Sequence, residues 1–466
     1  MGVTRVLVIA SIGVVLVGIY LKGKSLFEVP PLPQLEDTWW GPRDPSKEDG
    51  EIRPFKINVS DEVICKTFFQ ILKDLQQRLA NALPFQEPLE GVKQHYGINT
   101  HLLKNIVDFW RTKYNWRERE KFLNQYPQFT VSVQGLRIHY LHVKPKETKG
   151  VKVLPLLLLH GWPGSIREFY EIIPLLTTPQ KGRDFVFELI VPSLPGYGFS
   201  EAAVRPGLGA IQMAVVFKNL MARLGYQKYY LQGGDWGAAI VQYMSTLFPE
   251  KIIGVHSNMC FVNNVLSNLK LFLGSFYPSL VVSKELEDKV YPLSEKFSFN
   301  LLETGYMHLQ ATKPDTVGVA LRDSPVGLAA YILEKFTTGT NPEWKDLDDG
   351  GLTKKFSLTN LLDNVMIYWV TRSFTTSMRL YAETLNKAHR GFGIERIPVE
   401  VPSGCARFSH ELFIQPDFVL RGKYSNLIHI SDLEGGHFAA FEAPEILAED
   451  VFAFTEKVEA LRKSSE

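Results

Sequence analysis

From about residue 153 onward the chain alternates between short, almost uninterrupted apolar runs and amphipathic stretches, and this restricts its fold more than any other feature. The segments "LPLLLLHG" (154–161), "FELIVPSLPG" (187–196), "YYLQGGD" (229–235) and "IIGVHSNM" (252–259) are apolar at successive positions, as a strand covered on both faces must be. Between them, "REFYEIIPLLT" (167–177), "IQMAVVFKNLMARLG" (211–225) and "GAAIVQYMSTLF" (237–248) read as helices, the last with Ile240, Val241, Met244 and Leu247 on one face. Strands and helices taking turns specify a parallel sheet with helices on both faces. The rhythm breaks over residues 265–390, which read as mostly helical. It resumes with "IPVEVPSGCARF" (397–408), "NLIHISDLEGGH" (426–437) and an amphipathic C-terminal helix. The expected architecture is an open, mostly parallel α/β sheet with a helical insertion before its last strands.

Upstream, "FTVSVQGLRIHYLHV" (129–143) reads as a hairpin turning at Gly135. Residues 58–128 carry helical stripes, one of them Phe68, Ile71, Leu72, Leu75 and Leu79. The stretch "EVPPLPQLEDTWWGPRDPSKEDG" (28–50) is expected to be a linker without packed elements. The first residues differ from the rest: "VLVIASIGVVLVGIYL" (6–21) is uncharged, preceded by Arg5 and followed by Lys22 and Lys24. At the helical rise it reaches about 24 Å, close to the hydrocarbon thickness of a bilayer. No small-x-small cleavage site follows, so an uncleaved anchor is expected rather than a signal peptide, with Lys22 and Lys24 placing the body in the cytosol. The expected divisions are an anchor over 1–24, a linker and N-terminal helical region over 25–128, a first core part over 129–264, a helical lid over 265–395 and a second core part over 396–466.

The 51 basic and 50 acidic residues make no electrostatic case for nucleic acid. Three cysteines, Cys65, Cys260 and Cys405, are odd in number and far apart, which argues against a disulfide framework and for a reducing compartment. His139 and His142 lie three apart in a strand and face opposite sides, and no metal motif occurs elsewhere, so no metal is expected. "GYGFS" lacks the third glycine of a dinucleotide loop, and no cofactor is expected either.

Ligands of such sheets sit at the carboxyl ends of the strands. Four stretches fall there: "HGWPGS" (160–165), "SLPGYGFS" (193–200), "GGDWG" (233–237) and "EGGHF" (434–438). A buried strand running into Gly-x-nucleophile-x-Gly is a nucleophile elbow, and here its centre is Asp235 rather than a serine. A carboxylate is ionised at neutral pH and can displace at carbon without prior deprotonation. With His437 in "GGHF" near the end of the chain, these stretches are similar to the epoxide hydrolase branch of the α/β-hydrolase fold. "WRERE" (116–120), "LNQYPQFTV" (123–131) and the lid sequence around "ETGYMH" (303–308) extend the resemblance from about residue 40 to the C-terminus. It is strongest to the microsomal type, and within it to the insect branch acting on juvenile hormone.

That resemblance implies an enzyme opening apolar epoxides to vicinal diols with water, held at the endoplasmic reticulum or microsomal membrane. Asp235 is the nucleophile, His437 the general base for ester hydrolysis, and the backbone N–H groups of Trp162 and Trp236 the oxyanion hole. Tyr306 and Tyr381 are implied donors to the epoxide oxygen. The orienting acid is Glu411, directly after a strand and matching the family's glutamate in "FSHELF". Asp417 is the runner-up, while Asp432 and Glu434 read as surface carboxylates, and His308 and His410 as structural. Two alternatives stay open: a haloalkane dehalogenase-like hydrolase, and a catalytically silent lipid-binding protein on the same fold.

Overall fold

The computed structural model describes residues 28–59, 71–146 and 148–464. The apolar run over 6–21, Phe68 and Cys65 lie outside these residues. Among the described residues no helix is long and apolar enough to cross a membrane.

Among the described residues nine strands occur: β1 (Arg53–Phe55), β2 (Gln128–Val133), β3 (Leu136–Val143), β4 (Lys152–Leu159), β5 (Phe185–Pro192), β6 (Tyr229–Gly233), β7 (Ile252–Ser257), β8 (Ser403–His410) and β9 (Leu427–Gly436). They form one sheet in the order β1-β2-β3-β5-β4-β6-β7-β8-β9. The first three strands are antiparallel, and β5 through β9 run parallel. The alternation read from the sequence therefore gives the parallel body, and the hairpin turns at Gln134 and Gly135, both at positive φ. Helices Ala210–Arg223, Asp235–Leu247 and Pro444–Lys463 cover the sheet, while residues between β7 and β8 form a helical insertion.

Four local expectations are corrected. "REFYEIIPLLT" is not one helix but two short turns, Ile166–Phe169 and Ile173–Leu176. Pro174 has no N–H to continue the ladder, and its ring would meet the carbonyl four residues back. In "IPVEVPSGCARF" the strand starts only at Ser403, after Pro398 and Pro402, which cannot donate to a ladder. The 28–50 segment is packed rather than loose: Trp40 is buried, its backbone N–H donates to the Gln134 carbonyl at 2.9 Å, and a β-carbon at Gly41 would lie 1.9 Å from the Gly135 oxygen. Finally, Cys260 and Cys405 form a disulfide with Cα atoms 5.9 Å apart across a sequence separation of 145. Adjacency of β7 and β8 brings them together, which spacing along the chain does not reveal.

Candidate active site

Strand register explains why residues more than two hundred positions apart meet. Leu159, the last residue of β4, pairs with Gly233, the last of β6. The next residues of each, the "HGWP" loop and Asp235, therefore leave the sheet side by side. His410 pairs with Gly436 at the ends of β8 and β9, so Glu411 and His437 follow as neighbours in the same way.

Asp235 takes φ +50°, an unusual value for a residue with a side chain. The elbow is tight enough that glycine is required around it: a β-carbon at Gly237 would lie 2.0 Å from the Leu159 oxygen, and one at Gly161 would lie 2.2 Å from Asp235 Oδ1. This turn holds the carboxylate with its two oxygens in different company. The Trp162 backbone N–H donates to Oδ1 at 2.7 Å, and His437 Nε2 stands 3.4 Å from Oδ2. On its other side, His437 Nδ1 is 2.6 Å from Glu411 Oε1, which also accepts the Leu412 N–H at 2.6 Å. The His437 backbone N–H donates to the Gly339 carbonyl at 2.8 Å, so the insertion fixes the loop carrying the imidazole.

Burial opposes a charge on His437, but Glu411 and Asp235 outweigh it and hold the imidazole well above its ordinary range. Asp417 is engaged elsewhere, with Arg407 Nη1 at 2.5 Å. Asp432 also pairs with Arg407, at 2.8 Å, and Glu434 accepts from Ser409 Oγ at 3.2 Å. Only Glu411 among the four reaches His437. His410 Nε2 contacts Asn341 Nδ2 at 3.2 Å.

The two tyrosines arrive from separate helices, Gly305–Thr312 and Phe374–Thr384, and meet above the elbow with ring centroids 6.1 Å apart. Tyr306 stacks on Trp162 at 5.1 Å, and Tyr381 stands edge-on to Trp236 at 4.8 Å. Burial, with the Asp235 charge for Tyr306 and with Tyr306 and Asp235 for Tyr381, raises both phenols far above their usual range, so each keeps its proton. Among the described residues the buried indole N–H groups of Trp162 and Trp236 have no hydrogen-bond partner.

Sequence reading missed two contributors. His160 is buried, and its Nε2 accepts the Leu194 N–H at 3.2 Å while Nδ1 donates to the Gly161 carbonyl at 2.9 Å. Burial, against weaker effects of Gly161 and Asp235, depresses it to about 4, so it is a neutral strut holding the "HGWP" loop. Glu168, next to Arg167 in the sequence and part of no motif, lines a cavity of about 10 Å³ together with Asp235, His437 and Asn258. Burial pushes its carboxyl up to about 8, with His437 opposing and Asp235 reinforcing the shift. The potential metal pair His139 and His142 separates: His139 contacts Ser193 Oγ and Gln128 Oε1, and His142 contacts Glu188.

Against known proteins, the chain matches the family description "Epoxide hydrolase N terminus" over residues 52–169 and "alpha/beta hydrolase fold" over 155–277. It is 55% identical to juvenile hormone epoxide hydrolase 1 of Ctenocephalides felis, covering 97% of this chain and 95% of the relative. It is 47% identical to epoxide hydrolase 1 of Oryctolagus cuniculus, covering 91% and 93%. The crystal structure of juvenile hormone epoxide hydrolase from Bombyx mori superposes with a TM-score of 0.89 at 51% identity, over 92% of this chain and all of that one. With likeness of this degree along nearly its whole length, the chain belongs to the epoxide hydrolases of the α/β-hydrolase fold.

Proposed function

We propose that the protein converts apolar epoxides to vicinal diols through an ester on Asp235, with juvenile hormone or a related terpenoid epoxide as substrate. The observation that carries this mechanism is the divided environment of the carboxylate, with Oδ1 on the Trp162 N–H and Oδ2 facing His437 beneath two proton-bearing tyrosines. A carboxylate oxygen of Asp235 attacks a ring carbon as the ring C–O bond breaks. Tyr306 and Tyr381 hydrogen-bond the released ring oxygen and one of them protonates it, so it stays on the neighbouring carbon as a hydroxyl and the tyrosinate regains its proton from solvent. Water then attacks the Asp235 carbonyl carbon while His437 takes its proton, and Glu411 stabilises the resulting imidazolium. Backbone N–H groups of Trp162 and Trp236 bind the tetrahedral oxyanion. Collapse breaks the acyl C–O bond as the His437 imidazolium protonates the departing oxygen, so the diol is released and the Asp235 carboxyl gives its remaining proton to solvent. The cavity between Asp235, His437 and Glu168 is about the size of one water. No metal or cofactor enters this scheme.

The substrate proposal is supported by the 55% and 51% identity to proteins named for juvenile hormone, and by the apolar composition of the insertion over the site. The residue 6–21 segment is proposed as a single-pass anchor in the endoplasmic reticulum membrane, with the catalytic body in the cytosol. Single-turnover hydrolysis in oxygen-18 water tests the mechanism. Because the first diol takes its oxygen from Asp235, it should be unlabelled; label in that diol would mean direct attack by water and would exclude the ester. A panel of terpenoid and aryl epoxides then ranks the substrates.

A further inference from the structure

Helix Val265–Gly274, the first of the insertion, is built inside out. Its buried residues are Ser267 and Gly274, while Leu266, Leu269, Phe272 and Leu273 are 41–55% exposed and the following Phe276 and Leu280 are 63% and 73% exposed. Helix Leu293–Glu303 buries no residue fully and presents Phe297, Leu301 and Leu302 at 70–76% exposure. These elements are one surface. The Tyr291 hydroxyl donates to the Leu271 carbonyl at 2.9 Å, and Leu271, Leu293 and Ile414 pack on a shared small core of Val282, Leu286 and Val290. Lys270 lays its ammonium over the Phe418 ring at 4.0 Å, as a lysine does at an apolar rim. Contiguous apolar exposure on this scale marks a surface that something covers.

Two features indicate lipid. The described chain starts beside this surface: a β-carbon on Gly393 would sit 3.6 Å from Pro30, and Glu395, two residues on, accepts at 3.2 Å from Asn264, the N-cap of the inverted helix. The first described residues thus stand at the edge of this same face, and in the sequence the apolar run at 6–21 comes shortly before them. A second cavity, moreover, shares Phe299 and Phe413 with the face and reaches Tyr306 and His437.

We infer that helices Val265–Gly274 and Leu293–Glu303, with Phe276, Leu280 and Phe413, form a second membrane contact, which rests in the bilayer interface and admits apolar epoxides to the site directly from lipid. The inference rests on the anchor reading, because the anchor holds this face against the bilayer. Its outward side chains then transfer from water to acyl chains as those of an interfacial helix do, and an apolar substrate reaches His437 without crossing water.

The test uses the full chain in a Cys65→Ser background, reconstituted in phosphatidylcholine vesicles that carry a spin-labelled lipid. An environment-sensitive fluorophore is attached at Phe276→Cys, at Leu301→Cys, or at Lys181→Cys. Lys181 is exposed and leads into β5, at the amino ends of the strands and so at the pole opposite the insertion. The expected result is blue-shifted, lipid-quenched emission at positions 276 and 301, with neither effect at 181. Equal, unquenched emission at all three positions overturns the docking face. So does crosslinking between copies through position 276 without lipid quenching, since a second copy would then be the occupant. Alkaline carbonate extraction reports the anchor separately. A chain that resists extraction while 276 and 301 stay in water defeats the docking face alone, and one that is extracted yet quenched at those positions before extraction defeats the anchor alone.

Discussion

In the proposed reaction His437 has to serve a first half that tolerates a charged imidazole and a second half that needs a neutral one. Burial opposes its charge, but the carboxylates of Glu411, 2.6 Å away, and Asp235 raise it well above the ordinary range. The proposed alkylation of Asp235 would remove one of those carboxylates, so ester formation itself would make the imidazole a stronger proton donor to solvent and ready it as a base. Glu411→Gln removes the other. Loss of a neighbouring negative charge destabilises the imidazolium, so the rise of ester hydrolysis with pH moves to lower pH in this variant. Its plateau rate falls by about 10²-fold or more, because an amide stabilises the imidazolium poorly in the transition state. Single-turnover decay of the ester, followed across pH by the fluorescence of Trp162 and Trp236, measures both effects. An unchanged profile would remove Glu411 from the role proposed for it.

Elements are fastened behind the site by a second polar cluster. Asp450, on the C-terminal helix, accepts from His256 Nε2 on β7 at 2.8 Å, from His429 Nε2 on β9 at 2.8 Å, and from Ser431 Oγ at 2.6 Å. Burial works against its charge, yet the hydrogen bonds from His256, His429 and Ser431 hold the carboxyl well below its usual range. A depressed carboxyl stabilises the fold above the ordinary carboxyl pKa and loses that contribution as pH falls below it. Asp450→Ala should therefore lower stability at neutral pH by about 2 kcal/mol or more, since two buried imidazoles and a hydroxyl lose their acceptor. The gap to the unsubstituted chain should narrow below about pH 4. Denaturant unfolding at neutral and acid pH reads both parts, and a gap independent of pH would show packing rather than charge at work.

Across the whole molecule, one buried carboxylate joins three regions that the chain makes separately. Asp363, fully buried in the insertion helix Leu358–Thr371, accepts from Arg119 at 2.6 Å, from Tyr114 at 2.9 Å and from Arg167 at 3.1 Å. The first two belong to the N-terminal helical region and the third follows the "HGWP" loop. Next to it, Asn364 Nδ2 donates to the Pro163 carbonyl and its Oδ1 accepts from Ser165 Oγ, both at 2.7 Å. The insertion is thereby fixed to the loop whose Trp162 N–H holds the Asp235 carboxylate. Removing one partner of a buried charge group costs about 3–5 kcal/mol, so Asp363→Ala should unfold at markedly lower denaturant concentration. The wild-type midpoint in that variant would deny the network its structural weight.

Most of the architecture was legible in the sequence because its signals are local. Apolar runs separated by amphipathic stretches determine a parallel sheet, and glycines around Asp235 determine an elbow whatever lies beyond them. "HGWPGS" and "GGHF" fall at strand ends by the same short-range logic, while the roles expected of Trp162 and His437 came from the resemblance to epoxide hydrolases. What spacing alone left open were pairings. Glu411 and Asp417 lie six residues apart, and only the register of β8 on β9 puts one beside His437 and leaves the other with Arg407. Tyr306 and Tyr381 are two of 18 tyrosines until two helices bring their rings to 6.1 Å. The Cys260–Cys405 bond, the docked 28–50 segment and the buried Glu168 were likewise decided by tertiary structure. The physical reason is the same in each case. Backbone geometry propagates along the chain over a few residues, so sequence alone determines elements and their order. The partner of a side chain depends on which elements become neighbours, and that is settled only when the sheet and its insertion close over one another.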